Sequence, residues 1–145
     1  MIRRPTTILL VEDNPGDARL IQEALKDSKL PNIVHHAKDG VEALAFLQKD
    51  EPYADAPWPD LILLDLNMPR MNGLELLKRI KDDPLLRRIP VVVLTISKSE
   101  EDIISSYNLH ANCFISKPVD LDQFSGILQA INDYWFDMVR LPPER

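Results

Sequence analysis

The 145-residue chain contains a single cysteine, four glycines and no long run of apolar residues. A lone cysteine, Cys113, cannot form an internal disulfide, so the sequence fits a reducing compartment. Four glycines without a glycine-rich loop argue against a dinucleotide-binding Rossmann domain. The first apolar stretch, residues 8–11, is too short for a signal peptide, and no segment reaches transmembrane length. We therefore expect a cytoplasmic protein without a membrane span.

Basic residues are also in deficit, with 17 against 23 acidic residues and a net charge of −6. This balance argues against nucleic acid or an anionic membrane surface as a direct partner. The length suits one domain with a substantial core. We expect a single domain over residues 1–145, with a core at about 6–135 and a tail at 136–145 that makes a dimer or partner contact. The chain after the last predicted helix is too short for a DNA-binding output domain.

What the sequence does contain is an alternation of short apolar runs with helical patterns, repeated five times. The predicted strands are residues 7–11, 32–37, 60–65, 91–95 and 112–116. The predicted helices are residues 15 to about 28, 40–49, 74–81, a helix that Ser99 caps, and 121 to about 139. In the second of these helices, Val41, Leu44 and Leu47 predict the buried face. Strand–helix alternation with short connections predicts a doubly wound α/β fold, with a parallel sheet covered on both faces.

Two segments each allow two interpretations. The proline-rich stretch at residues 50–59 carries Tyr53 and Trp58, whose rings either pack on their own domain or form a partner contact. The last helix has a complete apolar stripe with further apolar residues beside it. The stripe consists of Leu121, Phe124, Leu128, Ile131, Trp135 and Met138. Because one face is enough to cover a sheet, the surplus favours a homodimer through this helix over a wide core-facing stripe.

Polar residues follow the predicted strands at the edge where a parallel sheet places its chemistry. They are Glu12 and Asp13 after the first strand, Asp65 at the end of the third, Thr95 at the end of the fourth and Lys117 after the fifth. The hard oxygens of Glu12, Asp13 and Asp65 predict a divalent cation site that suits Mg²⁺. A carboxylate beside a metal ion and a lysine can attack phosphorus and form an aspartyl phosphate. Asp65 is the predicted nucleophile, and Lys117 and Thr95 would stabilise the phosphoryl oxygens.

Four motifs in this order resemble the receiver domain of two-component response regulators. They are Val11-Glu12-Asp13-Asn14, Asp65-Leu66-Asn67-Met68-Pro69 with Gly73, Val93-Leu94-Thr95, and Phe114-Ile115-Ser116-Lys117-Pro118. Any one motif would be weak evidence, but four of them, each at a strand end, are specific. The resemblance covers about residues 6–135. It implies a flavodoxin-like (βα)5 fold with a five-stranded, doubly wound parallel sheet.

The resemblance also implies a role for each site residue. These roles are phosphoacceptor for Asp65, acidic metal pocket for Glu12 and Asp13, a backbone carbonyl to Mg²⁺ from Asn67, the switch pair for Thr95 and Phe114, and phosphoryl contact for Lys117. The implied donor is a sensor histidine kinase, and the implied output is a change in a partner-binding or dimer surface. A protein of this kind accepts and holds a phosphoryl group and is not a turnover enzyme.

A narrower resemblance is to the single-domain regulators that serve bacterial, notably cyanobacterial, phytochromes. It rests on Glu12-Asp13-Asn14-Pro15-Gly16-Asp17, the proline-rich insertion, and Tyr134-Trp135-Phe136 with Leu141-Pro142-Pro143. A phytochrome-type kinase is therefore the expected partner. Two positions depart from the usual receiver pattern. Ile96 stands where a small residue is usual and would narrow access to Asp65, and Phe114 replaces the common tyrosine.

Two other functions fit parts of the pattern. A phosphatase of the haloacid dehalogenase type also uses a strand-end aspartate and Mg²⁺, but it needs a general acid two residues later. That position is Asn67, which cannot donate a proton in that role. A degenerate receiver that binds partners without phosphorylation is the remaining alternative, although every side chain that the chemistry needs is present.

Overall fold

A computed structural model describes residues 5–26, 31–68, 70–95, 99–117, 126–127 and 129–130 of the chain. In chain order the elements are β1 (Thr6–Val11), α1 (Pro15–Lys26), β2 (Asn32–Ala37), α2 (Gly40–Gln48), β3 (Leu61–Leu64), α3 (Gly73–Asp82), a 3-10 turn (Leu86–Arg88), β4 (Val91–Thr95), α4 (Glu100–Asn108) and β5 (Cys113–Ser116). The predicted last helix, with its apolar stripe, lies almost entirely outside the described residues. Ile96, Pro69 and Pro118 lie outside them as well.

The five strands form one parallel sheet in the order β2-β1-β3-β4-β5. This is the flavodoxin-like order, so the predicted fold class is confirmed. The chain winds outward from β1 to β2, then crosses to β3 on the other side of β1. The carboxyl ends of β1 and β3 therefore flank the point where the winding reverses, and this is where such folds bind ligands.

Each strand sends alternate side chains into two separate cores. On one face, Ile8 and Leu10 of β1 pack with Ala18, Ile21 and Leu25 of α1. On the other face lies the larger core, which α2 and α3 cover. Its strand members include Leu9, Val11, Ile62, Leu64, Val91 and Val93. Both faces of the sheet are thus buried, which accounts for strands that are continuously apolar in sequence.

Side-chain caps fix where the helices begin. Asn14 accepts a hydrogen bond at Oδ1 from the Asp17 amide (3.0 Å), and α1 begins at Pro15 as predicted. Ser99 accepts one at Oγ from the Asp102 amide (3.3 Å), which confirms the predicted cap of α4. Helix α2 ends one residue earlier than predicted because Lys49 is in the left-handed conformation (φ 58°) and caps the helix.

The buried face of α2 agrees with the prediction at Leu47 and in part at Leu44, but not at Val41. Val41 is 41% exposed, and the side chains that α2 buries are Ala43, Phe46 and Leu47. The helix is turned so that its largest apolar side chain enters the core. The Phe46 ring centroid lies 5.2 Å from that of His35 and 5.6 Å from that of Tyr53. An aromatic ring buries more apolar surface than Val41, so it decides the orientation.

The remaining differences concern element ends. Strand β1 begins one residue earlier than predicted, β3 is one residue shorter at each end, and α3 is one residue longer at each end. Strand β5 begins one residue later than predicted because Asn112 caps the edge, where its Oδ1 accepts from the Val91 amide (2.8 Å). In the 50–59 loop, Tyr53 and Trp58 are partly buried against the larger core, which supports packing on their own domain. In the part of the chain that the structure describes, no helix is both long and apolar enough to cross a bilayer.

Candidate phosphoacceptor site

The register of the sheet brings two acidic strand ends together. Val11 pairs with Leu64, and the Asp65 amide donates to the Val11 carbonyl at 3.0 Å. Glu12 and Asp65 therefore follow adjacent strands at the same level. Helix α3 starts directly against this edge, and a Cβ on Gly73 would lie 2.4 Å from the Asp65 carbonyl oxygen. Only glycine permits that approach, so Gly73, where α3 begins, lies directly against Asp65.

Three carboxylates form the acidic cluster of the site. Glu12, Asp13 and Asp65 each offer an oxygen, and these oxygens all lie within 4.8 Å of one another. Glu12 and Asp65 are buried, whereas Asp13 is exposed. Hard oxygen donors on two buried residues and one exposed residue fit a cation that keeps some of its waters, which is the habit of Mg²⁺ and similar divalent ions. The geometry brings together the three side chains that the sequence predicted as ligands.

Lys117 supplies the positive charge at this edge. Its backbone amide donates to the Thr95 carbonyl at 2.7 Å, so the residue continues the line of β5 beside β4. The buried ammonium forms a hydrogen-bonded ion pair with Glu12, lies 3.0 Å from Asp17 Oδ2, and lies 3.7 Å from Asp65 Oδ2. The predicted proximity of Lys117 to Asp65 is therefore present in the structure.

Charge and burial oppose each other at this site. Burial penalises the Lys117 ammonium, but hydrogen bonding to Glu12 and the negative charge of Asp65 outweigh it and raise the pKa of Lys117. Burial, followed by the hydrogen bond with Asp65, raises the pKa of Glu12 to about 8, although Lys117 counteracts this. Burial and Asp65 thus disfavour the charged form of Glu12, and a bound cation would favour it.

Asn67 links the end of β4 to Asp65. Its side-chain amide donates to Thr95 Oγ1 at 3.3 Å, and its backbone amide donates to Asp65 Oδ1 at 3.3 Å. Thr95 is fully buried at the end of its strand. The sequence predicted roles for both residues, and the structure places both within one hydrogen-bonded group around Asp65.

Phe114 lies farther from the strand tips. It pairs with Val93, two residues before Thr95, and packs partly buried against the larger core. Thr95 and Phe114 therefore share one face of the sheet, because side chains two residues apart in a strand point the same way. This placement is compatible with the predicted switch pair, and it also gives Phe114 an ordinary packing role.

Asp17 was not identified as a site residue from the sequence. The sequence shows it only as an acidic residue in the first turn of α1, where a negative charge stabilises the helix N-terminus. The structure places its carboxylate against Lys117, which is 100 residues away along the chain. The available signal was Pro15 at the first helical position, which fixes Asp17 on the turn next to Glu12 and Asp13.

Comparison with known proteins agrees with this geometry. The family profile of the response regulator receiver domain matches residues 8–129. The chain is similar to response regulator Rcp1 of Synechocystis sp., with 48% identity over 95% of this chain and 94% of that protein. Both matches span most of the chain, so they concern the whole fold together with its site.

Two solved structures are similar over nearly their full length. The phosphorylated cyanobacterial phytochrome response regulator RcpA matches with a TM-score of 0.94 and 50% identity, covering 97% of this chain and 100% of that one. The Mn²⁺-bound form of response regulator Rcp1 matches with a TM-score of 0.93 and 47% identity, covering 96% of this chain and 100% of that one. A divalent metal is therefore bound by a relative of the same fold.

Proposed function

We propose, since this chain belongs to the response regulator receiver family, that Asp65 is the residue at which it accepts a phosphoryl group from a histidine kinase. The observation that carries the proposal is the position of Asp65. Its buried carboxylate stands within one cluster with Glu12 and Asp13 and 3.7 Å from the Lys117 ammonium. A nucleophilic carboxylate, a cation site and a fixed positive charge are the parts that phosphoryl transfer needs.

The transfer conserves atoms and charge without a further reactant. A carboxylate oxygen of Asp65 attacks phosphorus, and an O–P bond forms while the P–N bond of the kinase phosphohistidine breaks. The imidazole nitrogen keeps the electron pair of the broken bond, and the product is an aspartyl phosphate. A divalent metal, when bound, neutralises charge on the phosphoryl oxygens. Glu12, Asp13, Asp65 and the Asn67 carbonyl would hold it, and we propose Mg²⁺ as the ion.

Two further side chains would stabilise the transferred group. The Lys117 ammonium can contact one phosphoryl oxygen, because it already lies beside Asp65. The Thr95 hydroxyl can contact another after it exchanges its bond with Asn67. That exchange would change the packing near Phe114. We propose that this change in packing transmits phosphorylation of Asp65 to the α4–β5 surface. Asn67 offers no general acid for hydrolysis, so the protein stores the phosphoryl group and is not a turnover enzyme.

The donor and the downstream contact extend this proposal. Similarity to RcpA, a phytochrome response regulator, supports a phytochrome-type histidine kinase as donor. Because such a kinase draws its phosphoryl group from ATP, we propose that the protein acts in the cytoplasm. The apolar stripe at residues 121–138 supports a homodimer through the C-terminal helix and tail, and analytical ultracentrifugation at tens of micromolar tests it directly. A monomer with and without phosphorylation would refute the dimer.

Phosphotransfer from a purified phosphorylated histidine kinase tests the central proposal. With Mg²⁺ we expect a Phos-tag mobility shift in the wild type. The matched surface control Asp55→Asn should show the same shift. Asp65→Asn should abolish the shift. EDTA should slow transfer by at least about 100-fold, since metal ions supply several kcal/mol of charge stabilisation in such transition states. Mn²⁺ should restore it. Phosphate that still attaches to Asp65→Asn would refute the assignment.

A further inference from the structure

The Lys117 ammonium contacts three carboxylates that come from three different parts of the chain. Glu12 follows β1, Asp65 follows β3, and Asp17 lies in the first turn of α1. Glu12 and Asp65 also belong to the cluster whose oxygens suit a divalent cation, and Asp17 does not. One of the three partners of Lys117 is thus outside the metal cluster.

The position of Asp17 is fixed by its own backbone. Its amide donates to Asn14 Oδ1 at 3.0 Å, which anchors the first turn of α1. The helix carries Ala18, Ile21 and Leu25 into the core beside β1 and β3, so α1 cannot shift without disturbing that core. The Asp17 side chain is 32% exposed, and its Oδ2 still reaches Lys117 Nζ at 3.0 Å. The carboxylate is therefore held on the side of Lys117 that faces α1.

A divalent cation changes the balance around Lys117. When the cation takes oxygens of Glu12 and Asp65, these carboxylates have less negative charge to offer the ammonium. The cation also repels the ammonium directly, and Coulomb interactions over a few ångströms are strong in a partly buried site. Lys117 then has Asp17 as the partner that the cation does not bind.

We infer that Asp17 is a positioning residue that keeps the Lys117 ammonium beside Asp65 while a divalent cation occupies the acidic cluster. This inference rests on the proposed function, because it concerns the regulation of the same site. Asp17 is not a member of the metal cluster, and it acts through Lys117. The first turn of α1 is thereby part of the phosphoacceptor site.

A double-mutant cycle on Asp17 and Lys117 tests the inference. The variants are Asp17→Asn, Lys117→Met and the double variant, with Glu23→Gln as a matched control that removes one exposed negative charge from the same helix. At saturating Mg²⁺, Asp17→Asn should slow phosphotransfer about tenfold, the size expected for one charge-assisted hydrogen bond. Glu23→Gln should change the rate less than about twofold. In the Lys117→Met background, Asp17→Asn should change it no more than Glu23→Gln does.

Mn²⁺ binding, followed by electron paramagnetic resonance on the unphosphorylated protein, gives a second readout of the same cycle. Asp17→Asn should weaken binding several-fold because the ammonium is left uncompensated beside the ion. In the Lys117→Met background this weakening should fall to that of Glu23→Gln. Asp17→Glu should recover most of the wild-type rate and affinity. Asp17→Ser, which keeps a residue suited to the first helical turn, replaces Asp17→Asn if the latter fails to fold.

Three results would overturn the inference: an unchanged rate in Asp17→Asn, an equal slowing in the Lys117→Met background, or equal Mn²⁺ weakening in both backgrounds. The second and third would mean that Asp17 acts independently of Lys117. Failure of the proposed function looks different, since the wild type would then remain unphosphorylated or Asp65→Asn would still be phosphorylated. The Mn²⁺ cycle would still measure the coupling between Asp17 and Lys117 in that event.

Discussion

Two lysines, the buried Lys117 and the partly buried Lys81, lie at opposite ends of the strands of the same sheet, and the charge of their partners differs. Lys117, at the carboxyl edge, faces the carboxylates of Glu12, Asp17 and Asp65. Lys81, in the last turn of α3 at the amino edge, donates to the carbonyls of Arg87 (3.1 Å) and Ile89 (2.9 Å) and to Asn112 Oδ1 (3.3 Å). The partners of Lys117 are anions, and those of Lys81 are neutral.

The pKa values of the two lysines move in opposite directions for this reason. Burial lowers the pKa of Lys81 to about 8, and neutral acceptors do not offset it. Burial opposes the charge of Lys117 as well, but its carboxylate neighbours raise its pKa overall. At the amino edge, Lys81 thus makes hydrogen bonds to neutral acceptors only. At the carboxyl edge, four carboxylates meet one ammonium, and the excess negative charge is what a metal ion can use.

The largest effect is expected at the amino edge. Lys81→Met should lower the free energy of unfolding by about 2 kcal/mol, because two backbone carbonyls lose their lysine donor. Urea denaturation measures this loss. Lys78→Met, on the same helix but in an exposed ion pair with Asp82, should cost less than about 0.5 kcal/mol. Equal losses in the two variants would show that Lys81 is not a structural link.

At the carboxyl edge, the loss of Lys117 should change the affinity for a divalent metal. Lys117→Met should bind Mn²⁺ about tenfold more tightly, since a positive charge beside the acidic cluster is removed. Isothermal titration calorimetry at pH 8 provides the measurement. Lys81→Met should leave the affinity unchanged. If both variants shifted it alike, the contrast between the two edges would be wrong.

The smallest effect is a pH dependence of opposite sign at the two edges. The pKa of Lys81 is about 8 when folded, against 10.5 for an ordinary lysine, so between these values the unfolded chain binds more protons. Wild-type stability relative to Lys81→Met should therefore rise with pH across this window, by less than about 1 kcal/mol because Lys81 is only partly buried and solvent screens its charge. Urea midpoints at pH 8, 9 and 10 measure it.

Lys117 should behave in the reverse way. Its folded pKa lies above the ordinary value of 10.5, so its contribution to stability is complete below that pH and is lost as pH rises through the folded value. A relative stability of wild type over Lys81→Met that falls between pH 8 and 10 would contradict the assignment for Lys81.

Much of the fold was predictable because its signals are local. The structure confirms the helix starts that were predicted from Asn14 and Ser99 as caps. The boundaries of β2 and β4 match the predicted ranges. Spacing correctly predicted that Leu47 is buried, but it could not predict that Phe46 is buried and Val41 exposed, because the neighbouring elements decide which of the two enters the core. The later start of β5 was not predictable either, because the hydrogen bond from the Val91 amide to the Asn112 side chain leaves no trace in the periodicity of the sequence.

The sequence by itself determined the alternation of strands and helices, the acidic and basic strand ends, and the set of residues that we propose bind a cation and receive phosphate. These follow from periodicity and from residue type at strand termini, which are properties of short segments. The tertiary structure alone decided that Asp17 meets Lys117 and that Lys81 and Lys117 have opposite electrostatic surroundings. Both depend on side chains brought together from distant parts of the chain, and the charge and burial around a group exist only once those parts have packed.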